Sequence, residues 1–213
     1  MNTVDKSGQR NFDGTGFRPD PLLWDELERE DPDAICHRAL VGYDRERGFL
    51  LPFLGQTLGI LPGKRDIVAL EKSAPQRISF ELRLIILTYL LRAKPISLDG
   101  KTVNEKQIPG GEAFFRGPHR LQTGAMEELF GQDRKAFLRA GKQLKGEVIR
   151  SGDAGIFLPV FPRVPMMLIL WEADDEFPAR ITVTFDSTIS RHLPLDIIWA
   201  TVRVVADCMI RSA

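Results

Sequence analysis

The chain has 213 residues, 43% of them hydrophobic and 27% charged, enough for one domain or two small ones with a core that needs no disulfide or metal staple. Twenty-nine Lys and Arg balance 29 Asp and Glu, and zero net charge gives no general pull toward phosphate backbones or anionic lipid. Two cysteines, Cys36 and Cys208, with no CxxC pair, cannot supply the four ligands of a typical iron–sulfur cluster or structural zinc site, and read as reduced, buried thiols.

Residues 1–17 are polar and glycine-rich and read as a disordered tail. Asp20-Pro21 and Asp31-Pro32 each pair a helix N-cap with proline at the first helical position. They predict two short amphipathic helices, one burying Leu23, Trp24 and Leu27, the next Ile35, Ala39 and Leu40. Tyr43 and the runs 49–53, 57–60 and 66–70 are divided by Arg47-Gly48, Gly55 and Pro62-Gly63, the pattern of an antiparallel meander. Apolar residues at 78, 82, 85, 86 and 89 predict a core helix over 78–92. The stretch 94–124, broken by five glycines and three prolines, reads as irregular, and loops that long commonly carry function. One helical turn is expected at 126–130 and a helix capped by Asp133 runs to about Leu144. Strands follow at 156–160, 166–171 and 179–185, the last two forming a hairpin across the polar connection 172–178. Pro194 opens a final helix whose stripe is Ile198, Val202, Val205 and Met209, and Trp171 and Trp199 read as core residues. No signal peptide opens the chain. The apolar stretch 78–91 is interrupted by Glu81 and Arg83, short of the roughly 20 residues of a membrane span. The expectation is a cytoplasmic α+β protein, mainly an antiparallel sheet with packed helices. Residues 18–213 form a single domain, in one sheet or two lobes, with neither nucleic acid nor membrane as partner.

Phe161-Pro-Arg-Val-Pro165, Leu170-Trp-Glu-Ala-Asp-Asp-Glu-Phe-Pro178, Phe185-Asp-Ser187 and His192-Leu-Pro194 resemble domain-of-unknown-function family 3786. Leu91-Arg-Ala-Lys94, Ile108-Pro-Gly-Gly-Glu112 with Phe114-Phe115, and Phe53-Leu-Gly55 look like that family's middle and N-terminal regions. The resemblance covers most of the chain after about Pro32. It implies a bacterial or archaeal protein of a family common in anaerobes, without an assigned activity. Some relatives carry a cysteine-rich iron–sulfur segment, absent here. The resemblance therefore implies a role near redox or one-carbon metabolism, as a helper of an iron–sulfur or corrinoid protein.

Three constellations carry the chemistry. Glu172, Asp174, Asp175 and Glu176 crowd four carboxylates into five residues, a pattern that raises a pKa or holds a hard cation, or else merely keeps a hairpin turn in solvent. Asp186-Ser187…Ser190-Arg191-His192 follows a strand and precedes a helix. Arg191 and His192 suit an anion there, while Asp186 and Ser187 equally suit a turn. No Gly-x-Ser-x-Gly elbow supports a hydrolase. Pro109-Gly110-Gly111 with Phe115, Arg116 and His119 offers close backbone approach, an aromatic platform and positive charge, or a surface loop anchored by its phenylalanines. With Arg163 and Trp171, these residues suggest a binding or accessory module for a small anionic ligand or a partner protein. The alternative is an acid/base or metal-assisted enzyme built on 172–176 and His192. The cofactor and the oligomeric state stay open.

Overall fold

The computed structural model describes residues 21–71 and 78–213, so the tail read at 1–17 lies outside the described residues. Both prolines open helices, Pro21–Arg29 (α1) and Pro32–Ala39 (α2), while Asp20, read as the first N-cap, lies outside the described residues. Asp31 caps α2, its carboxylate accepting the N–H of Ala34 at 3.2 Å. Trp24, Leu27, Ile35 and Ala39 are buried. Leu40, expected inward, is instead the left-handed C-cap (φ 53°) and is 53% exposed. Closing the helix there swings its side chain off the apolar stripe.

The meander forms as read: Gly42–Asp44 (β1), Gly48–Phe53 (β2), Gln56–Leu61 (β3) and Asp66–Ala69 (β4), an antiparallel sheet in chain order. Gly48 has φ +73° and a Cβ there would sit 1.8 Å from the Ile60 carbonyl oxygen, so only glycine allows the two strands to meet. Phe80–Arg92 (α3) is capped by Ser79, whose hydroxyl accepts the Leu82 N–H at 3.2 Å. It is buried on more sides than one stripe requires, because α1, α2 and the C-terminal helix all pack on it.

The supposedly irregular stretch 94–124 is more ordered than its composition suggests. It holds Thr102–Asn104 (β5), Gly111–Phe114 (α4), two 3₁₀ turns and the start of Gly124–Phe130 (α5). Next come Arg134–Gln143 (α6), Glu147–Ile149 (β6), Ala154–Phe161 (β7), Val164–Trp171 (β8), Arg180–Asp186 (β9), Ile189–His192 (α7) and Leu195–Arg211 (α8). The second sheet is antiparallel throughout, in the order β5-β9-β8-β7-β6. Alternation decides its faces. Ile156, Leu158, Val160, Met166, Leu168, Leu170, Ile181, Val183 and Phe185 turn to the helix layer and are at most 4% exposed. Gly141 of α6 lies so near Ile156 that a Cβ would come within 2.7 Å of that side chain. Trp171, expected in the core, ends β8 on the opposite face, 42% exposed, with the Arg180 guanidinium 5.9 Å from its ring centroid. Trp199 is half-buried and donates its indole N–H to the Arg120 carbonyl at 3.2 Å.

The fold is α+β with two antiparallel sheets. They meet where the β7–β8 hairpin tip enters the N-terminal half: Phe161 stacks on Tyr89 of α3 (4.6 Å, 16°) and its ring centroid lies 5.4 Å from that of Phe53 on β2.

Candidate functional site

Arg163 sits at that hairpin tip, beside the C-terminal turn of α2, whose last carbonyls have no partner within the helix. Its Nε donates to the Arg38 carbonyl at 2.6 Å, Nη2 to that of His37 at 3.3 Å and Nη1 to that of Ile96. The Arg163 N–H donates to the Tyr89 hydroxyl at 3.2 Å, and that hydroxyl donates to the Ala39 carbonyl at 2.7 Å. Arg163 and Tyr89 together cap three successive carbonyls, at the end of the helix where the macrodipole favours a cation. Arg163 is 8% exposed, and the partners of its guanidinium are main-chain oxygens. Burial pushes the Tyr89 phenol well above its usual range.

His192 ends α7 and is 1% exposed. Its Nδ1 accepts the Lys94 N–H at 3.2 Å, which places the proton of the neutral ring on Nε2. Nε2 is buried and finds no partner among the described residues. Burial, then the charge of Arg163, lower the pKa from 6.5 to about 4, with Asp186 opposing. The imidazole is therefore neutral near pH 7. Asp186 is also buried. Burial pushes its carboxyl up, but the bonds it accepts from Thr188, Gly100 and Asp99 win and hold it below the ordinary value. Those bonds run from the Thr188 hydroxyl (2.6 Å) and N–H (3.0 Å) and from the Gly100 N–H (2.8 Å). Ser187 donates its hydroxyl to Asp99 and its N–H to the Lys101 carbonyl at 2.8 Å. Asp186 and Ser187 thus tie 99–101 to the end of β9. Arg191 is exposed while the adjacent His192 is buried, so the two side chains point to opposite sides of the turn.

The strand register separates the remaining candidates. Met166 pairs with Phe185 and Trp171 with Arg180, so Trp171, Glu172 and the acidic turn lie at the far end of the sheet from Asp186 and His192. Five register steps amount to roughly 17 Å. Asp174 accepts the N–H of Glu176 at 2.9 Å and of Phe177 at 2.7 Å, closing its own turn. Glu172 accepts the Arg134 N–H at 3.3 Å and lies 3.9 Å from its guanidinium. Asp174, Asp175 and Glu176 are exposed. Among the described residues no group of three or more His, Cys, Asp or Glu side chains is placed to hold a metal ion.

The third constellation surrounds the start of α8. Gly110 (φ +77°) opens α4. Gly111 is required because a Cβ would stand 2.0 Å from the Glu105 carbonyl oxygen, so its close approach is to the chain itself. Phe115 is buried; Phe114 stacks on His119 at 4.6 Å, and His119 presents an edge-on contact to Trp199 at 6.2 Å. Arg116 pairs with Glu112 at 2.7 Å, both exposed. Between them lies a shallow depression of about 490 Å³ lined by Lys106, Ile108, Gly110, Glu112, Ala113 and Arg116.

Lys106 and the hydroxyl of Tyr89 were not among the site groups expected from sequence. Asn104…Gln107 is a capping box, Asn104 Oδ1 accepting the N–H groups of Lys106 and Gln107 and Gln107 Oε1 accepting that of Asn104. Read as such, it marks a tight turn that presents Lys106 outward. Tyr89 is signalled by its hydroxyl, which needs a partner in an otherwise apolar helix.

A family model described as domain of unknown function (DUF3786) matches residues 31–208. No curated protein and no solved structure gives a significant match.

Proposed function

The chain belongs to the DUF3786 family, and on that footing we propose that it is a binding module that takes a small anionic group in the depression between Lys106 and Arg116. The observation that carries this reading is a contrast between buried and exposed cations. Arg163 spends its guanidinium on main-chain carbonyls, whereas Lys106 and Arg116 stand at the surface over Ile108 and Ala113. Two cations over an apolar floor suit a carboxylate or phosphate carrying a short hydrocarbon portion. Glu112, now on Arg116, is the group such a ligand displaces or extends past.

The acid/base alternative draws less support from the geometry. It asks His192 and the carboxylates of 172–176 to share a pocket, and they sit at opposite ends of the second sheet. His192, neutral near pH 7 and with both ring nitrogens inside the protein, also offers neither a charged acid form nor a nitrogen open to a substrate.

Thermal unfolding with phosphate, citrate and a nucleoside triphosphate tests the proposal. At about a hundredfold excess over the dissociation constant, a native-state ligand contributes about 2.7 kcal/mol. For a chain of this size that raises the midpoint by roughly 5–10 °C. The shift is expected in the wild type and absent in Lys106→Ala/Arg116→Ala. An equal shift in that variant, or none with any of the three anions, would contradict the reading.

A further inference from the structure

One face of the second sheet, carrying Ile156, Leu168 and Val183, is buried under the helix layer. On the other face, β9 presents polar side chains, Thr182 half-buried and Thr184 7% exposed. Its neighbours β7 and β8 do not. Phe157, Met167 and Ile169 are half-buried there, and Trp171 is exposed. Cross-strand pairing of Phe157 with Met167 and of Gly155 with Ile169 places these side chains in one contiguous apolar strip. Strips of this kind on a protein surface mark interaction sites.

We propose that this face is a symmetric interface with a second copy of the chain. The argument for that occupant is the placement of charge. Among outward strand positions of β6 to β9, the exposed charged side chains are Glu147 on β6 and Arg180 on β9. Glu147 is level with Phe157 and Met167, and Arg180 with Trp171, so opposite charges occupy diagonal corners of the strip with Ile169 beside their midpoint. A two-fold axis lying in the face and passing beside Ile169 brings each Glu147 against Arg180 of the other copy, twice per dimer. The two corners are separated by three strand spacings across and four residues along, about 14 Å each way. The line joining them therefore runs at about 45° to the strands, and the strands of the two copies cross near a right angle, one of the two stable ways of stacking sheets. Zero net charge on the chain removes the long-range repulsion that would oppose self-association. Five strands of this length offer on the order of 500 Å² per copy, at the lower limit of specific interfaces, so the dimer is reversible and depends on concentration.

Sedimentation velocity over a hundredfold concentration range tests this. The wild type passes from monomer to dimer. Glu147→Arg and Arg180→Glu each weaken the dimer about tenfold, two rim pairs acting together. The double variant Glu147→Arg/Arg180→Glu, with the charges exchanged, returns to within about threefold of the wild type, and Ile169→Lys stays monomeric. Both charge positions are exposed, and an unchanged thermal midpoint for the monomer confirms that each variant is folded. A wild type that is monomeric throughout, a dimer indifferent to Ile169→Lys, or a double variant no tighter than either single one overturns the proposal.

Discussion

A buried neutral imidazole couples stability to pH. His192 has its pKa lowered to about 4 in the folded chain, against 6.5 for the free side chain. Between those values the unfolded chain binds a proton that the native chain refuses, so stability is full above about pH 6.5 and falls as pH drops toward 4. The loss approaches about 3 kcal/mol. In His192→Asn an amide oxygen can replace Nδ1 as acceptor for the Lys94 N–H, and nothing titrates. Denaturant unfolding from pH 7 to pH 4 should show the wild type losing stability relative to that variant. Parallel curves would remove the assigned cause. Tyr89→Phe belongs to the same scale. It deletes the hydroxyl that joins the Ala39 carbonyl to the Arg163 N–H, both inside the protein, and should cost about 2 kcal/mol in urea unfolding. Such roles were hidden in the sequence for a physical reason. Arg163 and His192 are residue types that bind anions and Asp186 one that binds cations, and the same donors and acceptors satisfy a buried main chain. Which of the two occurs depends on what the fold places beside them.

Among the elements, the β7–β8 hairpin tip does the most to join the two sheets. Arg163→Met keeps the length of the side chain but leaves the carbonyls of His37, Arg38 and Ile96 without their donor, and should destabilise the protein by about 3 kcal/mol. Because α2 loses its cap, amide exchange in 32–39 should accelerate more than in β8 or β9. Uniform acceleration would mean that the bonds hold no particular element. Element by element, legibility followed punctuation. The meander β1–β4 was readable because glycine and proline mark every turn, and α6 because Asp133 caps it. β5 and β6 were not, since three residues carry too short an alternation and their strand character comes from pairing with β9 and β7. Trp171 was misplaced because residue type suggests burial, whereas position in the alternation of β8 sends it outward.

At the scale of the molecule, the second sheet keeps the two charged constellations apart. The acidic turn lies beyond Trp171 and Arg180, while His192, Asp186 and the cationic stretch 94–120 gather at the other end, around the start of α8. Sequence proximity of 172–176 to 186–192 suggested one site, and antiparallel return of the chain through β9 undoes it. The exposed part of 109–120 was legible as a candidate from its glycines, aromatics and arginines. Its opposing wall, Lys106, belongs to a turn that composition alone hid. The central claim is that an anionic group docks there, away from the buried cations. Backbone amide chemical shifts followed through a citrate titration test it most directly. The account predicts saturable shifts at Lys106, Gly110, Ala113 and Arg116, with 37–39 and 163 unmoved. Saturable shifts centred on Arg163 and His192, or no saturable shift along 105–120, would contradict it.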